Sequence, residues 1–441
     1  MTAQGFERSI QGRVRVRLIL PCVGLMLLSS LDRVNISFAA LQMNHDLGLS
    51  PQQYGFGAGI FFLGYLAGQY PSLLLQKLIG TRRWLTLCAL IWGSAAAGMA
   101  FINSAEEFWV LRVVLGLAEA GLAAGIMLYL CQWTTPEQRA STIVLPMLAI
   151  PVSAVAGAPL SGWLLSVGTP FGMPSWRWML LVEGLPTLLA GACAFFYFPD
   201  HPGEAKWLSA AERDWLARNN AVAPRAASVG GSNSLHVLRD PVIWMSAGVW
   251  FGLLAGAYGL MFWLPQVVQQ WTGYGAFTVS LISAVPWVGV GLGMWVNAWH
   301  SDRTQERFWH IGAPALLAGI AIASPMFFGS HLFASLALLV AGCGLGAAQG
   351  AFWAMPIGCL QPRSLMMGIA TINIAGSSAG LVVPHIIGWV RENTGSFVLP
   401  VYLVAITLFA AAVIVAMIRL AVGQRAALLP VAEGQIARRF Q

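Results

Sequence analysis

Charge is scarce in this chain. Only 9% of its 441 residues are Asp, Glu, Lys or Arg, against roughly 25% in soluble domains. With a mean hydropathy of +0.70, a water-soluble globule is excluded, and length has to be counted in membrane spans. Cysteine is scarce as well. Cys22, Cys88, Cys131, Cys193, Cys343 and Cys359 are scattered, with no CxxC among them, so core packing is their expected role. Neither a phosphate-cradling Walker loop nor an HExxH zinc motif occurs. No enzymatic activity, no metal and no cofactor is therefore expected. An ATP-driven pump would need a soluble nucleotide domain, for which the sequence leaves no room.

What is abundant is long apolar sequence. About twelve stretches reach the length of a helical span, roughly 20 residues. They stand near 16–40, 52–76, 84–103, 106–133, 140–167, 176–199, 241–270, 276–300, 306–329, 332–360, 364–391 and 396–421. Open strands cannot cross lipid, so these segments are expected to be helices. The net charge of +7 is not a nucleic-acid signal, because the cations sit in short loops on one side. They precede span 1 (Arg8, Arg13, Arg15, Arg17) and follow span 2 (Lys77, Arg82, Arg83), span 4 (Arg139) and span 6 (Lys206, Arg213, Arg218, Arg225, Arg239). Further groups follow span 8 (Arg303, Arg307), span 10 (Arg363) and span 12 (Arg419, Arg425, Arg438, Arg439). An excess of cations marks the cytoplasmic side, which puts both termini there, in a bacterial-type inner membrane. The first apolar run lacks a small-residue cleavage site and reads as a retained helix rather than a signal peptide.

The expected organisation is an N-terminal six-helix half (1–199), a cytoplasmic connector (200–240), a C-terminal six-helix half (241–421) and a cytoplasmic tail (422–441). Within the connector, Trp207, Leu208, Ala211, Trp215 and Leu216 have helical spacing, which predicts a short amphipathic helix at the membrane surface. The stretch from Ala223 to Ser234, rich in Gly, Ser, Ala and Pro, predicts a flexible link. A 6+6 split suggests two pseudo-symmetric halves that rock about a midplane site. Glycines at Gly116, Gly121 and Gly125, at Gly289, Gly291 and Gly293, and at Gly342, Gly344, Gly346 and Gly350 predict close helix approach.

Against this apolar background a few ions stand out. Asp32 and Arg33 interrupt span 1, and Arg112 and Glu119 lie in span 4. A charge at membrane depth costs at least a few kcal/mol and marks a functional pathway. Seven residues is about two helical turns, so Arg112 and Glu119 share one face about 10 Å apart. That face is expected to look into the bundle, with all four ions around one aqueous cavity. In such a cavity an anion and a proton assist each other's binding, and Arg offers a planar fork for a carboxylate. The competing reading is a purely structural ion-pair network. Arg177 and Glu183 read as structural, nearer a membrane face. The second half offers neutral groups instead: Tyr258, Trp263, Gln266, Asn297, Gln349, Trp353, Asn373, Ser377 and His385. Tyr258 and Asn373 are the favoured ligand contacts among them.

The runs Leu31-Asp32-Arg33-Val34-Asn35-Ile36, Tyr54-Gly55-Phe56-Gly57 to Tyr65, Trp176-Arg177-Trp178 to Glu183-Gly184-Leu185-Pro186, and His300-Ser301-Asp302-Arg303 resemble the anion:cation symporter family of the major facilitator superfamily. The resemblance covers nearly all of the chain except the tails. It implies an all-α membrane protein of twelve transmembrane helices in two pseudo-symmetric six-helix halves, the major facilitator fold. It also implies uptake of tartrate-like, sugar-acid or aromatic-acid anions with protons. Carried over by position, it assigns proton coupling to Glu119 and Asp32. Substrate binding falls to Arg33, Arg112, Tyr65, Trp353 and Asn373, to which the reading of the residues themselves adds Tyr258, and gating falls to Asp302, with Arg303 beside it. Gln76-Lys77 departs from the acidic residue that the superfamily carries after span 2. The expected activity is proton-coupled import of a small organic anion by alternating access. The alternative is an exporter or antiporter of an organic anion or drug-like compound, hinted at by Gly157-Ala158-Pro159-Leu160-Ser161-Gly162. The expected partners are the anion, protons and the lipid bilayer, with the chain working as a monomer.

Overall fold

The structure, a computed structural model, describes residues 3–135, 139–219, 239–325, 331–360 and 365–428. Arg225, Arg363, Arg438, Arg439 and the linker segment 223–234 lie outside the described residues, as does most of the tail.

The described chain is almost entirely helical. Eleven helices are long and apolar enough to cross a bilayer. In the first half they are α1 (Phe6–Asp46), α2 (Pro51–Ile79), α3 (Thr81–Phe101), α4 (Ala105–Cys131), α5 (within Arg139–Ser166) and α6 (Ser175–Tyr197). The connector carries α7 (Ala210–Asn219). The second half holds α8 (Pro241–Thr272), α9 (Ala276–Thr304), the shorter apolar α10 (Trp309–Ala323), α11 (His331–Cys359), α12 (Met367–Thr394) and α13 (Val398–Leu428). All twelve expected spans are thus present, with α10 counted beside the eleven.

Local chemistry sets the ends of these helices. Ser104 caps α4 by accepting from the Glu107 N–H, and Asp240 caps α8 ahead of Pro241, which has no N–H to leave unsatisfied. Gly273 and Gly395 end α8 and α12 in the left-handed region, where a Cβ would be strained.

The chain divides into two compact units. One comprises residues 1–39 and 63–230, the other residues 40–62 and 231–441. The sequence order would assign 40–62 to the first half, but this hairpin packs with the second. Tyr54 donates to the Phe262 carbonyl at 2.8 Å and meets Trp263 edge-on at 5.1 Å. Gly55 sits against the Pro384 carbonyl and Gly59 against that of Leu381.

Each unit is closed by helix pairs whose backbones touch. In the first, Gly64 of α2 faces the Val113 carbonyl of α4, while Gly93, Gly184 and Gly191 bring α3 and α6 together. In the second, Gly289 and Gly293 of α9 interlock with Gly342 and Gly346 of α11. A side chain at any of these positions would overlap the facing main chain, which is the use of small residues in lipid. Gly291 of the same series has nothing within 4 Å.

The connector is docked on protein. The helix starts at Ala210, so Trp207 and Leu208 precede it. Trp207 stacks on Trp133 at 5.9 Å, with the Arg17 guanidinium 5.6 Å from its ring. Ser209 and Glu212 cap each other's backbone N–H groups, a reciprocal capping box. Glu212 also pairs with Arg13 of α1. Amphipathic spacing is therefore satisfied by the first unit itself.

Candidate functional site

α1 carries Asp32 and Arg33 some two-thirds of the way along its length, and their neighbours come from α2, α3, α4 and α6. Asp32 is 2% exposed. Its Oδ2 accepts from Trp92 Nε1 at 2.6 Å and from Thr187 Oγ1 at 2.9 Å. Arg33 does not pair with its neighbour Asp32. Its Nη2 donates to Glu119 Oε2 at 2.7 Å, and its guanidinium carbon lies 5.2 Å from the Tyr65 ring centroid. Ser29 Oγ donates to the same Glu119 oxygen at 2.9 Å. Glu119 is 1% exposed, whereas the Arg33 side chain keeps 21% of its surface open. Of the two partners, the cation is the one a solute can reach.

The helix that presents Glu119 is broken immediately after it. α4 consists of Ala105–Glu119 and Leu122–Cys131, separated by Ala120 and by Gly121 at φ 77°. The break places Glu119 in the last turn of a half-helix, where the partial negative charge of the terminus opposes a carboxylate. Arg33 and Ser29 offset that opposition. Gly121 is required twice over: its φ is left-handed, and a Cβ there would press on Ser72 at 2.9 Å. Arg112 lies two turns earlier on the same helix and is fully buried.

Glu183 joins this group, contrary to its placement near a membrane face. It lies mid-helix in α6, is 2% exposed, and accepts from Ser161 Oγ of α5 at 2.7 Å. Asn35 and Asp32 of α1 are close enough to act on it electrostatically. Thr187, one turn further along α6, holds Asp32. The first unit therefore buries three carboxyl groups (Asp32, Glu119, Glu183) and the Arg112 guanidinium, with the Arg33 guanidinium partly open. Only Glu119 has a cation within 4 Å among the described residues. Asp32 Oδ1, Glu119 Oε1 and Glu183 Oε2 have no hydrogen-bond partner among the described residues, an uncommon condition for buried oxygens. Arg177, by contrast, serves structure: it donates to the Ala100 carbonyl at 2.9 Å and to Asn103 Oδ1 at 3.1 Å.

The second unit places its candidates on an aromatic wall. Tyr258 of α8 lies 4.5 Å from Phe62 and 6.3 Å from Phe262. Trp353 of α11 packs on Trp250 at 5.2 Å. Gly376 of α12 abuts the same Trp250 ring, and Asn373 stands half-buried one turn before it. Asn297 and Gln349 have structural roles. Asn297 bonds the His310 and Ala347 carbonyls at 2.8 Å each, and Gln349 bonds the Leu253 carbonyl at 3.4 Å.

At the loop after α9, Asp302 pairs with Arg307 at 2.8 Å, while Arg303 lies 3.9 Å over the Trp299 ring. The loop after α2 meets the lack of an acid differently. Gln76 is buried and donates to the Gly125 carbonyl at 3.0 Å. Arg82 is received by Asp200 and Glu204, at the start of the connector. Asp200 reaches the Arg82 N–H because Gly80, at φ 84°, has no Cβ in the way of its carboxylate.

Residues 22–384 match the Major Facilitator Superfamily. A putative tartrate transporter of Agrobacterium vitis is 38% identical over 408 residues, 92% of this chain and 91% of that protein. A quinolone resistance transporter of Acinetobacter baumannii is 31% identical over 91% of this chain and 93% of its own length. The fold of a bacterial homologue of the human lysosomal transporter Spinster superposes with a TM-score of 0.74 over 91% of this chain and 95% of that one, at 16% identity. Eleven membrane-length helices and the shorter α10 agree with these matches. The chain belongs to the major facilitator superfamily of membrane transporters.

Proposed function

We propose that this chain imports a small organic carboxylate together with protons. The observation that carries this reading is the double engagement of Arg33. Its guanidinium bonds Glu119 at 2.7 Å and is the more exposed partner. A substrate carboxylate and Glu119 would compete for one cation. A proton on Glu119 dissolves the ion pair and frees the fork for the anion. An anion on Arg33 in turn strips Glu119 of its counter-charge and assists its protonation. Each ligand raises the other's affinity by the same factor, as linkage requires. Asp32, held by Trp92 and Thr187 rather than by a cation, is the second coupling group. Tyr65 orients Arg33, Arg112 supplies further positive potential, and Tyr258, Trp353 and Asn373 read the rest of the solute. The relatedness to a putative tartrate transporter supports a small hydroxy acid as substrate. Placement in the inner membrane with both termini inside rests on the cation distribution, and function as a monomer on the completeness of this set within one chain.

The test is uptake by proteoliposomes under an imposed pH gradient, with tartrate as probe. Glu119→Gln removes the titrating group and is expected to abolish uphill accumulation while counterflow exchange persists. Uphill accumulation by that variant at the wild-type level overturns the proposal. The similarity to a quinolone resistance transporter favours a second reading, proton-driven export. The direction of proton movement separates the two. Import draws protons into vesicles along with added tartrate, whereas an antiporter releases them.

A further inference from the structure

A second pocket lies well away from the Arg33 site, wholly inside the second unit. It opens where the carboxyl-terminal ends of α1, α8 and α12 meet and has a volume of about 350 Å³, a size suited to a small ligand. Its floor is aromatic, formed by Trp263 and Phe397, and its rim carries Asn44, His45, Gln266, Gln269, Gln270 and Arg391. Four amides and one guanidinium around so small a space are far more polar than the α8, α10 and α13 surfaces nearby.

Two observations point to a ligand. The first is Arg391. Its guanidinium rests on the Phe397 ring at 4.7 Å, and among the described residues it has no carboxylate within 4 Å. The neighbouring carboxylate, Glu392, is committed elsewhere: it accepts from Ser50 Oγ at 2.7 Å and from the Gln52 N–H at 2.9 Å. The second is a pair of unmet amide atoms. Asn44 Nδ2 and Gln266 Oε1 meet at only 3.4 Å. Asn44 Oδ1 and Gln266 Nε2 have no partner among the described residues. The pocket thus offers a cationic fork, an acceptor and a donor. A carboxylate takes the fork, and an adjacent hydroxyl both donates and accepts.

We propose that this pocket is a second oxyanion site, taking either the carboxylate of a small hydroxy acid or the phosphate of a lipid headgroup. It is built from the α1–α2 hairpin on one side and from α8 and α12 on the other, so an occupant ties these segments together. The proposal stands independently of the import reading. The plainer reading gives Arg391 only to the helix terminus, where a cation in the last turn is favourable.

The test is arginine labelling of the full chain in nanodiscs with phenylglyoxal, reading the Arg391 peptide by mass spectrometry. One arm uses phosphatidylcholine discs with and without tartrate, against sodium chloride of matched ionic strength. The other replaces part of the lipid with phosphatidylglycerol and omits tartrate. Both are repeated in Arg33→Ala, which separates this site from the first. Labelling of Arg391 is expected to slow several-fold with tartrate in both wild type and Arg33→Ala, and the slowing is expected to weaken in Asn44→Ala/Gln266→Ala. Slowing by phosphatidylglycerol alone would also support the site and would name its source as lipid. Equal labelling in every arm overturns the proposal, as does tartrate protection that vanishes in Arg33→Ala.

Discussion

The two units bury very different chemistry. The first holds Asp32, Arg33, Arg112, Glu119 and Glu183 inside its helices. The second, of similar helix count, groups the aromatic residues Tyr258, Trp250 and Trp353 with their ring neighbours. Its ions, Asp302, Arg303, Arg307 and Arg391, lie at helix ends. Ions within lipid are expensive, and on the proposed function the first unit keeps five of them for coupling. The second unit supplies contact area and shape. Backbone construction is alike in both: glycine pairs set α2 on α4 and α3 on α6, as they set α9 on α11. On the function proposed above, coupling and the carboxylate-binding fork fall to the first unit, and neutral contacts with the rest of the solute fall to the second.

The largest expected effect breaks that division. Asp32→Asn, Glu119→Gln and Glu183→Gln are each expected to lower uphill uptake in proteoliposomes by about 100-fold or more. In Glu119→Gln the loss leaves Arg33 without its buried counter-charge, at about 3–5 kcal/mol, whereas Asp32→Asn and Glu183→Gln each remove a buried group able to hold a proton. Tyr258→Phe and Asn373→Ala are instead expected to raise KM by about 3- to 30-fold, the scale of one or two hydrogen bonds, with the ratio of protons to substrate unchanged. A proton ratio altered by the second-unit variants would end the division of labour. An intermediate effect is expected from packing. Gly342→Val drives a side chain into the Pro286 main chain and should cost about 3 kcal/mol or more. It is read as a fall in thermal stability of the purified protein in detergent. Gly291→Ala, with open space beside it, should leave stability unchanged.

The fold was legible because lipid leaves so few solutions. Twelve apolar stretches had to be helices, and their observed limits fall close to those drawn from hydropathy. Glycines at turn spacing in α9 and α11 announced close helix approach, but not that these two helices meet each other. The break in α4 was not legible: Gly121 sits in a run that reads as continuous helix, and only the φ of 77° marks it. In the site, Arg112–Glu119 spacing placed both ions on one face correctly. Glu183 was misjudged because its helix was anchored on Arg177 at one end. Counted from Ser175, it stands near the middle of α6, and the i,i+4 pairing with Thr187 is a signal that spacing alone contains. Which cation pairs with which carboxylate depends on side-chain reach between helices, which sequence adjacency does not give: Arg33 pairs with Glu119 and not with its neighbour Asp32.

The smallest effect concerns the connector, which belongs to neither bundle and is clamped to the first. Glu212 takes part in the capping box with Ser209 and pairs with Arg13. Its partial burial by itself raises the carboxyl, but the Ser209 N–H and hydroxyl and the Arg13 guanidinium outweigh this and hold it below the ordinary glutamate range. A carboxyl depressed in the folded state contributes stability above its unfolded value, about 4.3. That contribution is lost as pH falls through the lower folded value. The pair lies near the surface, where such an interaction is worth about 0.2–1 kcal/mol and is screened by salt. Hydrogen exchange at 209–219 should therefore be modestly slower at pH 7 than at pH 4. In Glu212→Gln the difference between the two pH values, after correction for intrinsic exchange, should shrink. If α7 is equally protected at both pH values in the wild type, Trp207 stacked on Trp133 fastens the connector without help from the ion pair, and the clamp on the first unit is aromatic.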